Sequence, residues 1–403
     1  MSRSGLILPV YVPSLLLSLA QGVLIPTLPL YARSLGVTIA LVSFAVGATP
    51  IGTLVADVPA GVLLERFGRR RTMLFGCASV ALSYLLVPLL KSYAVLVVLM
   101  CLGGIGSSLW AISRHVYLAE ATRPDERGQA ISTFGGVNRV GTFGGPAVGG
   151  IVASHFGLAS AFTVSGGLAV AGLFLSYLFV PESTKRATAV STRAYLRTLG
   201  TVVVKNGGVL TKAGFAQLCS QMIRSGRQII VPLYASYALG LDVAAIGAII
   251  SISSAIDMAL FLPAGIIMDR VGRKAAIIPC FVILSIGMAM VPFTKSYGTL
   301  LIATTVMGFG NGIGSGTMMT LGADLAPTEA VGAFLGVWRL IGDVGGAGGP
   351  LVVGGVAGLL GLATSAFVLA GVGLASVIFF AFTVPETGRR ARRRKDPVPN
   401  RAP

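Results

Sequence analysis

Apolar positions along this chain gather into runs of roughly 20 residues, the length a helix needs to cross the hydrocarbon of a bilayer. Short polar or arginine-bearing stretches separate them. Twelve such runs predict helices over 5–32, 38–64, 72–90, 93–119, 129–154 and 158–180, then 209–239, 243–268, 274–293, 297–321, 332–356 and 361–383. The expected fold is an all-α polytopic membrane protein. Two six-helix bundles, 1–180 and 209–388, are joined by a basic linker, 181–208, and followed by a basic tail, 389–403. The run that begins just after Arg3 continues past Tyr31 with no small-residue cleavage site, so it reads as a retained first helix and not as a signal peptide.

Composition agrees with that pattern and narrows it. Apolar residues make up 54% of the 403 positions and charged residues 11%, against about 25% charged in soluble domains. So few charges cannot coat a water-exposed surface. The net charge of +17 invites a nucleic-acid reading, but the basic residues lie at the ends of alternate helices and form no stripe with interleaved aromatics. They report topology instead. Arg66, Arg69, Arg70, Arg71, the linker basics, Arg270, Arg273, Lys274 and the tail fall on one side, whereas the opposite loops hold only Arg33, Lys91 and Lys295. By the positive-inside rule both termini are expected in the cytoplasm, in a bacterial inner (plasma) membrane, which requires an even number of spans. The four cysteines, Cys77, Cys101, Cys219 and Cys280, lie inside predicted helices without metal-ligand spacing, so no disulfide and no metal site is expected.

The halves repeat one another. Pro59-Ala60-Gly61 recurs as Pro263-Ala264-Gly265, and Lys91-Ser92-Tyr93 as Lys295-Ser296-Tyr297, both at an interval of 204 residues. The same interval links Gly104 to Gly308, Glu120 to Asp324, Pro146 to Pro350 and Glu182 to Glu386. A register held over six helices means duplication, and parallel six-helix repeats are one of the transporter plans.

The loop Gly61-Val-Leu-Leu-Glu65-Arg66-Phe-Gly68-Arg69-Arg70 and its counterpart Gly265-Ile-Ile-Met-Asp269-Arg270-Val-Gly272-Arg273-Lys274 closely resemble the signature loop of the major facilitator superfamily. With the duplication and twelve spans, the resemblance covers nearly the whole chain. It implies a cytoplasmic gate built from Gly61, Glu65, Arg66, Gly68, Arg69, Arg70, Gly265, Asp269, Arg270, Gly272 and Arg273, with Glu120, Asp324, Glu182 and Glu386 as acidic partners. In such a latch Gly61 admits a neighbouring helix, the acid and Arg66 can pair locally, and the arginines can reach helix ends or carboxylates of the other half. Breaking and remaking those pairs biases a two-state rocking motion. The competing reading is that these charges only set topology and bind anionic headgroups.

In the fifth span, Gly141-x3-Gly145-Pro146-x2-Gly149-Gly150 resembles the motif of antiporter branches of that superfamily, including drug-proton exchangers. Around Pro350 the eleventh span nearly repeats it, with one residue more. Small residues at every fourth position permit close helix contact, and the proline removes a backbone bond where the helix is to bend. Export by antiport is the direction the resemblance favours, against generic small-residue packing. One departure counts against a simple drug exporter. Where many proton-coupled exporters of the superfamily carry an arginine before the Gly-x-Gly matched by Gly104-Ile-Gly106, this chain has Met100, so proton coupling must rest on other residues or be absent.

Charges at membrane depth are costly unless paired or facing an aqueous cavity, and this chain keeps Asp57, Arg114, Arg139, Arg224, Arg227, Asp257, Arg339 and Asp343 there. The implied fold lays the second span on the eleventh and the fifth on the eighth. At 1.5 Å per residue, Arg139 and Asp257 then both lie roughly 17 Å deep, and Asp57 and Arg339 roughly 11 Å deep. Both pairs could join the halves. They are expected either to change strength between inward- and outward-facing states and so load or release a proton, or to hold the bundle together statically. Asp343 stands where the repeat places Arg139, an inversion of sign.

Gln217, Gln221, Arg224 and Gln228 share one face of the seventh span, with Arg227 beside them. In the implied fold the first span of each half lines the central cavity, and Gln21 occupies the place of Arg224. These residues and Arg114 are the expected substrate contacts, with Asn138, Asn311, Tyr234, Tyr237 and Trp338 as secondary candidates. Paired guanidiniums suit a carboxylate or phosphate, unless Asp257 or lipid headgroups neutralise them.

ATP-driven pumping is set aside because the chain contains no Gly-x4-Gly-Lys-Ser/Thr, and zinc-enzyme readings fail because His115 and His155 are its only histidines. No cofactor is expected. The leading expectation is a secondary active transporter working by alternating access, a proton-coupled exporter of small organic molecules or drugs that functions as a monomer among membrane lipids. Its alternatives are a carrier of an anionic or lipid-like substrate and, from another class, a non-transporting receptor or scaffold.

Overall fold

The structure is a computed structural model that describes residues 6–122, 127–182 and 192–387. After a short π-helical turn, Ile7–Tyr11, the first half runs through α1 (Val12–Ser34), α2 (Ile39–Phe67), α3 (Arg69–Leu86), α4 (Tyr93–Ala121), α5 (Arg127–Phe156) and α6 (Leu158–Phe179). A further helix, α7 (Thr192–Lys205), lies within the stretch expected as linker. The second half comprises α8 (Gly207–Tyr237), α9 (Val243–Ala259), α10 (Phe261–Arg270), α11 (Arg273–Met290), α12 (Tyr297–Ile313), α13 (Thr317–Leu325), α14 (Val331–Leu360) and α15 (Leu362–Phe382). Among the described residues, nine helical stretches are long and apolar enough to cross a membrane. The tail expected at 389–403 lies outside the described residues.

Two expected spans are interrupted. The eighth divides at Leu260 into α9 and α10; Pro263, three residues on, has no N–H to offer the carbonyl of Ala259, which weakens the helix there. The tenth divides at Gly314–Gly316, where Gly316 takes φ +75°, a conformation only glycine adopts without strain. The glycine run from Gly308 is therefore a helix break as well as a packing surface. By contrast, α5 and α14 continue unbroken through Pro146 and Pro350.

Within the first half α1 packs on α5 and α6, α2 on α4, and α3 on α4 and α6; within the second, α8 packs on α14 and α15, α9 on α12, and α11 on α12 and α15. Glycines set the closest of these approaches. A Cβ added at Gly145 would lie 2.5 Å from Gly22 Cα, and one at Gly349 would lie 2.5 Å from the Met222 carbonyl oxygen. The same small-residue device thus presses α5 onto α1 and α14 onto α8.

The halves meet along two seams, α2 on α14 and α5 on α9. Both are tight at the face away from the arginine-rich turns. There a Cβ at Gly150 would meet the Val243 carbonyl oxygen at 2.8 Å, one at Gly354 would meet Ser43 Cβ at 2.7 Å, and the Arg33 guanidinium lies 4.8 Å from the Tyr237 ring centroid. Toward the basic face, which carries the α2–α3 and α10–α11 turns, the packing ends. A Cβ at Gly61, Gly135, Gly136, Gly265 or Gly332 would meet nothing within 4 Å. The bundle is closed at the far face and parted at the basic one.

Candidate functional site

Each seam carries a charge pair where it begins to part. Arg139 of α5 donates from Nη1 to Asp257 Oδ1 at 2.9 Å and from Nη2 to Ser315 Oγ at 2.8 Å. The other Asp257 oxygen accepts from Asn311 Nδ2 at 2.7 Å, and Ser315 Oγ adds a contact of 3.3 Å to Oδ1. Both carboxylate oxygens are engaged. Ser315 reaches this cluster because the α12–α13 break turns it inward.

The second seam is less complete. Arg339 of α14 donates from Nη2 to Asp57 Oδ1 of α2 and from Nε to Asp343 Oδ2, both at 3.4 Å, so one guanidinium serves two carboxylates. Asp57 Oδ1 also accepts from Ser108 Oγ at 2.5 Å, while its buried Oδ2 has no hydrogen-bond partner. If both carboxyls are ionised, the three groups carry one net negative charge.

Between the seams lie two cavities. The larger, about 480 Å³, has Gln21, Arg114, Asn138, Gln228, Arg339 and Asp343 among its polar lining, with Tyr84, Met100 and Trp110 among its apolar walls. The smaller, about 240 Å³, is bordered by Arg139, Arg227, Gln228 and Asp257. Ile25, Thr142 and Gln228 belong to both linings, which makes the cavities neighbours.

The expected substrate contacts therefore divide. Gln21, Arg114, Asn138, Arg227 and Gln228 border the cavities. Gln217 is only 5% exposed and sits against Gly342. Arg224 donates to the Gly314 carbonyl at 3.2 Å and to Gln221 at 3.3 Å, closing off the α12–α13 break. Asn311 serves Asp257. Trp338 is 3% exposed and its indole N–H donates to the Met318 carbonyl at 2.9 Å, tying α14 to α13. Tyr234 donates to the Pro292 carbonyl at 3.0 Å, and Tyr237 lies beneath Arg33. None of these seven, Gln221 included, borders either cavity. Among the further lining residues, Ser107, Trp110 and Ala111 form one helical face of α4 with Arg114.

The basic-face latches close within each half. Gly68 and Gly272 hold positive φ, +80° and +141°, and so turn the chain sharply into α3 and α11. Arg69 pairs with Glu120 and lies over the Tyr117 ring, while Arg70 stands 4.0 Å from Glu182. Arg273 donates from Nε to Asp324 at 2.8 Å and from Nη1 to Asp269 at 3.1 Å, and Glu386 caps α11 by accepting from the backbone N–H groups of Arg273 and Lys274. The expected Glu65–Arg66 pair is not made. Arg66 lies over the Phe67 ring instead, 5.6 Å from its centroid. Among the described residues these arginines do not reach carboxylates of the other half.

A membrane-embedded helical bundle with a polar cavity held between two packed halves is the architecture of a solute transporter. The family model described as Major Facilitator Superfamily matches residues 11–211 and 213–402, and the chain belongs to that superfamily, whose members are transporters and not enzymes. Among its relatives is an uncharacterized MFS-type transporter of Methanocaldococcus jannaschii, 23% identical over 86% of this chain and 89% of that protein. Another is the multi-drug resistance efflux pump PmrA homolog of Lactococcus lactis subsp. lactis, 25% identical over 86% and 88%. The crystal structure of a D-xylose-proton symporter shares the fold, with a TM-score of 0.78 at 18% identity over 96% of this chain and 99% of that one.

Proposed function

We propose that this chain is a proton-coupled exporter of small organic molecules that works by alternating access, with the basic face toward the cytoplasm. The observation that carries the reading is the placement of both charge pairs where the two seams part, beside the cavity. A rocking motion that closes the basic face and opens the far one must pull on those contacts or press them together. The Asp57–Arg339–Asp343 group suits proton carriage better than Asp257 does. Two carboxyls near one guanidinium can share a proton, and a buried oxygen of Asp57 stands ready to take it. Protonating Asp257 would instead disrupt a set of hydrogen bonds already complete.

Export is supported by the multidrug efflux relatives and by the glycine-proline run of α5. A second reading, uptake of an anion together with a proton, is supported by the guanidiniums lining the cavity. Proteoliposomes loaded with candidate solutes and subjected to an imposed pH gradient test the proposal. Gradient-driven flux in wild type that is lost in Asp57→Asn and Asp343→Asn supports it; full gradient-driven flux in both variants overturns it.

A further inference from the structure

Arg114 is the most exceptional side chain in the membrane part of the molecule. It is 7% exposed, and no carboxylate or other hydrogen-bond acceptor among the described residues serves it. Its guanidinium lies 3.8 Å from the Phe134 ring centroid, and its Nε is buried without a partner. Burying a cation without a counter-charge is strongly unfavourable. The face of Phe134 offers only a weak substitute. The other charged members of its surroundings do not supply what is missing. Arg339 is itself a cation, committed to Asp57 and Asp343, and the His115 ring nitrogen Nδ1 already contacts the Ala111 carbonyl at 2.6 Å.

Arg227 repeats the situation on the second half. It borders the smaller cavity together with Asp257, forms no ion pair among the described residues, and keeps a buried Nη1 without a partner. The remaining arginines differ. Arg139 has Asp257, Arg339 has two aspartates, and Arg224 has a backbone carbonyl. The two cavity linings together hold four arginines, Arg114, Arg139, Arg227 and Arg339, against Asp257 and Asp343. Counting Asp57 as well still leaves an excess of positive charge.

We propose that the two cavities form one binding site for a small organic anion, with Arg114 as its principal counter-ion and Arg227 as the second. The inference rests on the transporter reading and names its substrate class. The shared chemistry is a carboxylate or phosphate group, which a guanidinium binds through two parallel N–H donors. Gln21, Asn138, Thr142 and Gln228 supply neutral hydrogen bonds around it. Trp110, Tyr84, Met100 and the leucines of α1 offer an apolar wall for the rest of the molecule. A cationic drug would meet four guanidiniums here, and Asp257 is already engaged by Arg139, Ser315 and Asn311.

The test is direct binding to purified protein in phosphatidylcholine nanodiscs, followed by intrinsic fluorescence, because Trp110 is part of the wall. Benzoate and phenyl phosphate are titrated against benzylamine, an aromatic probe of opposite charge. The expected result is saturable binding of one or both anions and none of the amine. Arg114→Gln should weaken anion binding about tenfold or more, the loss typical of a charge-assisted hydrogen bond. Arg114→Lys should recover part of it, and the exposed Arg71→Gln should match wild type. Preferential binding of benzylamine overturns the proposal, as does wild-type anion affinity in an Arg114→Gln protein of native elution profile. Loss of anion binding in nanodiscs containing phosphatidylglycerol also overturns it, by assigning the site to a lipid headgroup. Anion binding without proton-driven flux would count against proton coupling and leave this site standing; proton-driven flux without anion binding would do the reverse.

Discussion

Arg139 and Asp257 meet at 2.9 Å from opposite halves of the chain, at the level where the α5–α9 seam gives way to open space. With 24% and 14% of their side chains exposed, they are shielded enough for the loss of one partner to be felt. Asp257→Asn leaves Arg139 without its counter-charge and should destabilise the protein by about 3 kcal/mol, the lower end for breaking a buried pair. The double variant Arg139→Gln with Asp257→Asn removes both charges and should recover much of that loss. Thermal unfolding in detergent measures the series. Equal stability of the single and double variants would show that the stranded Arg139 charge is not the source of the loss.

Proton and anion should strengthen one another's binding. A proton shared by Asp57 and Asp343 adds one positive charge to the cavity wall, so anion affinity is highest at low pH and falls as pH rises and the proton leaves. One unit charge at about 10 Å and an effective dielectric of about 20 changes affinity about tenfold. The charged and titratable neighbours are Arg114 and His115 of α4 and Arg339 of α14, with the neutral Gln217 and Gln221 on α8. Asp343→Asn should flatten the pH dependence of benzoate binding, whereas His115→Asn should leave it. The opposite pattern would assign the proton to His115. By linkage the effect is reciprocal. Mutual strengthening is what uptake of an anion together with a proton requires, whereas anion affinity that falls at low pH is what export in exchange for protons requires, so the sign of the pH dependence separates the two readings.

Much of this geometry was legible because it depends on spacing along helices. Equal depths brought Arg139 to Asp257 and Asp57 to Arg339, and the interval of four residues puts Asp343 beside Arg339. Contacts made by broken helices were not legible. Ser315 joins Asp257 only because Gly316 turns the chain, and Arg224 meets the Gly314 carbonyl only because that turn exposes it. The face Ser107, Trp110, Ala111 and Arg114 has helical spacing in the sequence, but its direction is decided by the helices packed around α4. Trp338 illustrates the opposite difficulty. A large aromatic suits a cavity wall or a core equally well, and the packing of α13 on α14 claims it for the core.

The contact of α5 on α1 makes a sharper claim about glycine. At Gly145 an added Cβ would lie 2.5 Å from the Gly22 backbone, whereas one at neighbouring Gly144 would meet only a Leu19 methyl at 3.6 Å. Gly145→Val should therefore force the helices apart and lower the yield of folded protein, while Gly144→Ala is tolerated. Size-exclusion profiles and unfolding temperatures compare them. A Gly145→Val protein as stable as Gly144→Ala would mean that α1 and α5 need not approach so closely.

Alternating access predicts opposite cross-linking at the two faces. Before any test, Cys77, Cys101, Cys219 and Cys280 are replaced by alanine or serine, since all four carry free thiols. Paired cysteines at Ala40 and Gly358 lie where an added Cβ at Gly358 would be 3.5 Å from Ala40 Cβ, and a short cross-linker should join them in the resting protein. A Cβ added at Gly61 or Gly332, one on each side of the open end of the α2–α14 seam, would meet nothing within 4 Å, and cysteines there should not react with each other. If the halves rock as whole bodies, an imposed proton gradient with substrate should raise the 61–332 product and lower the 40–358 product together. Cross-linking at both faces with unchanged yields under every condition would mean that the seams do not exchange. The reading of Asp57 and Asp257 as moving contacts would then fall with it.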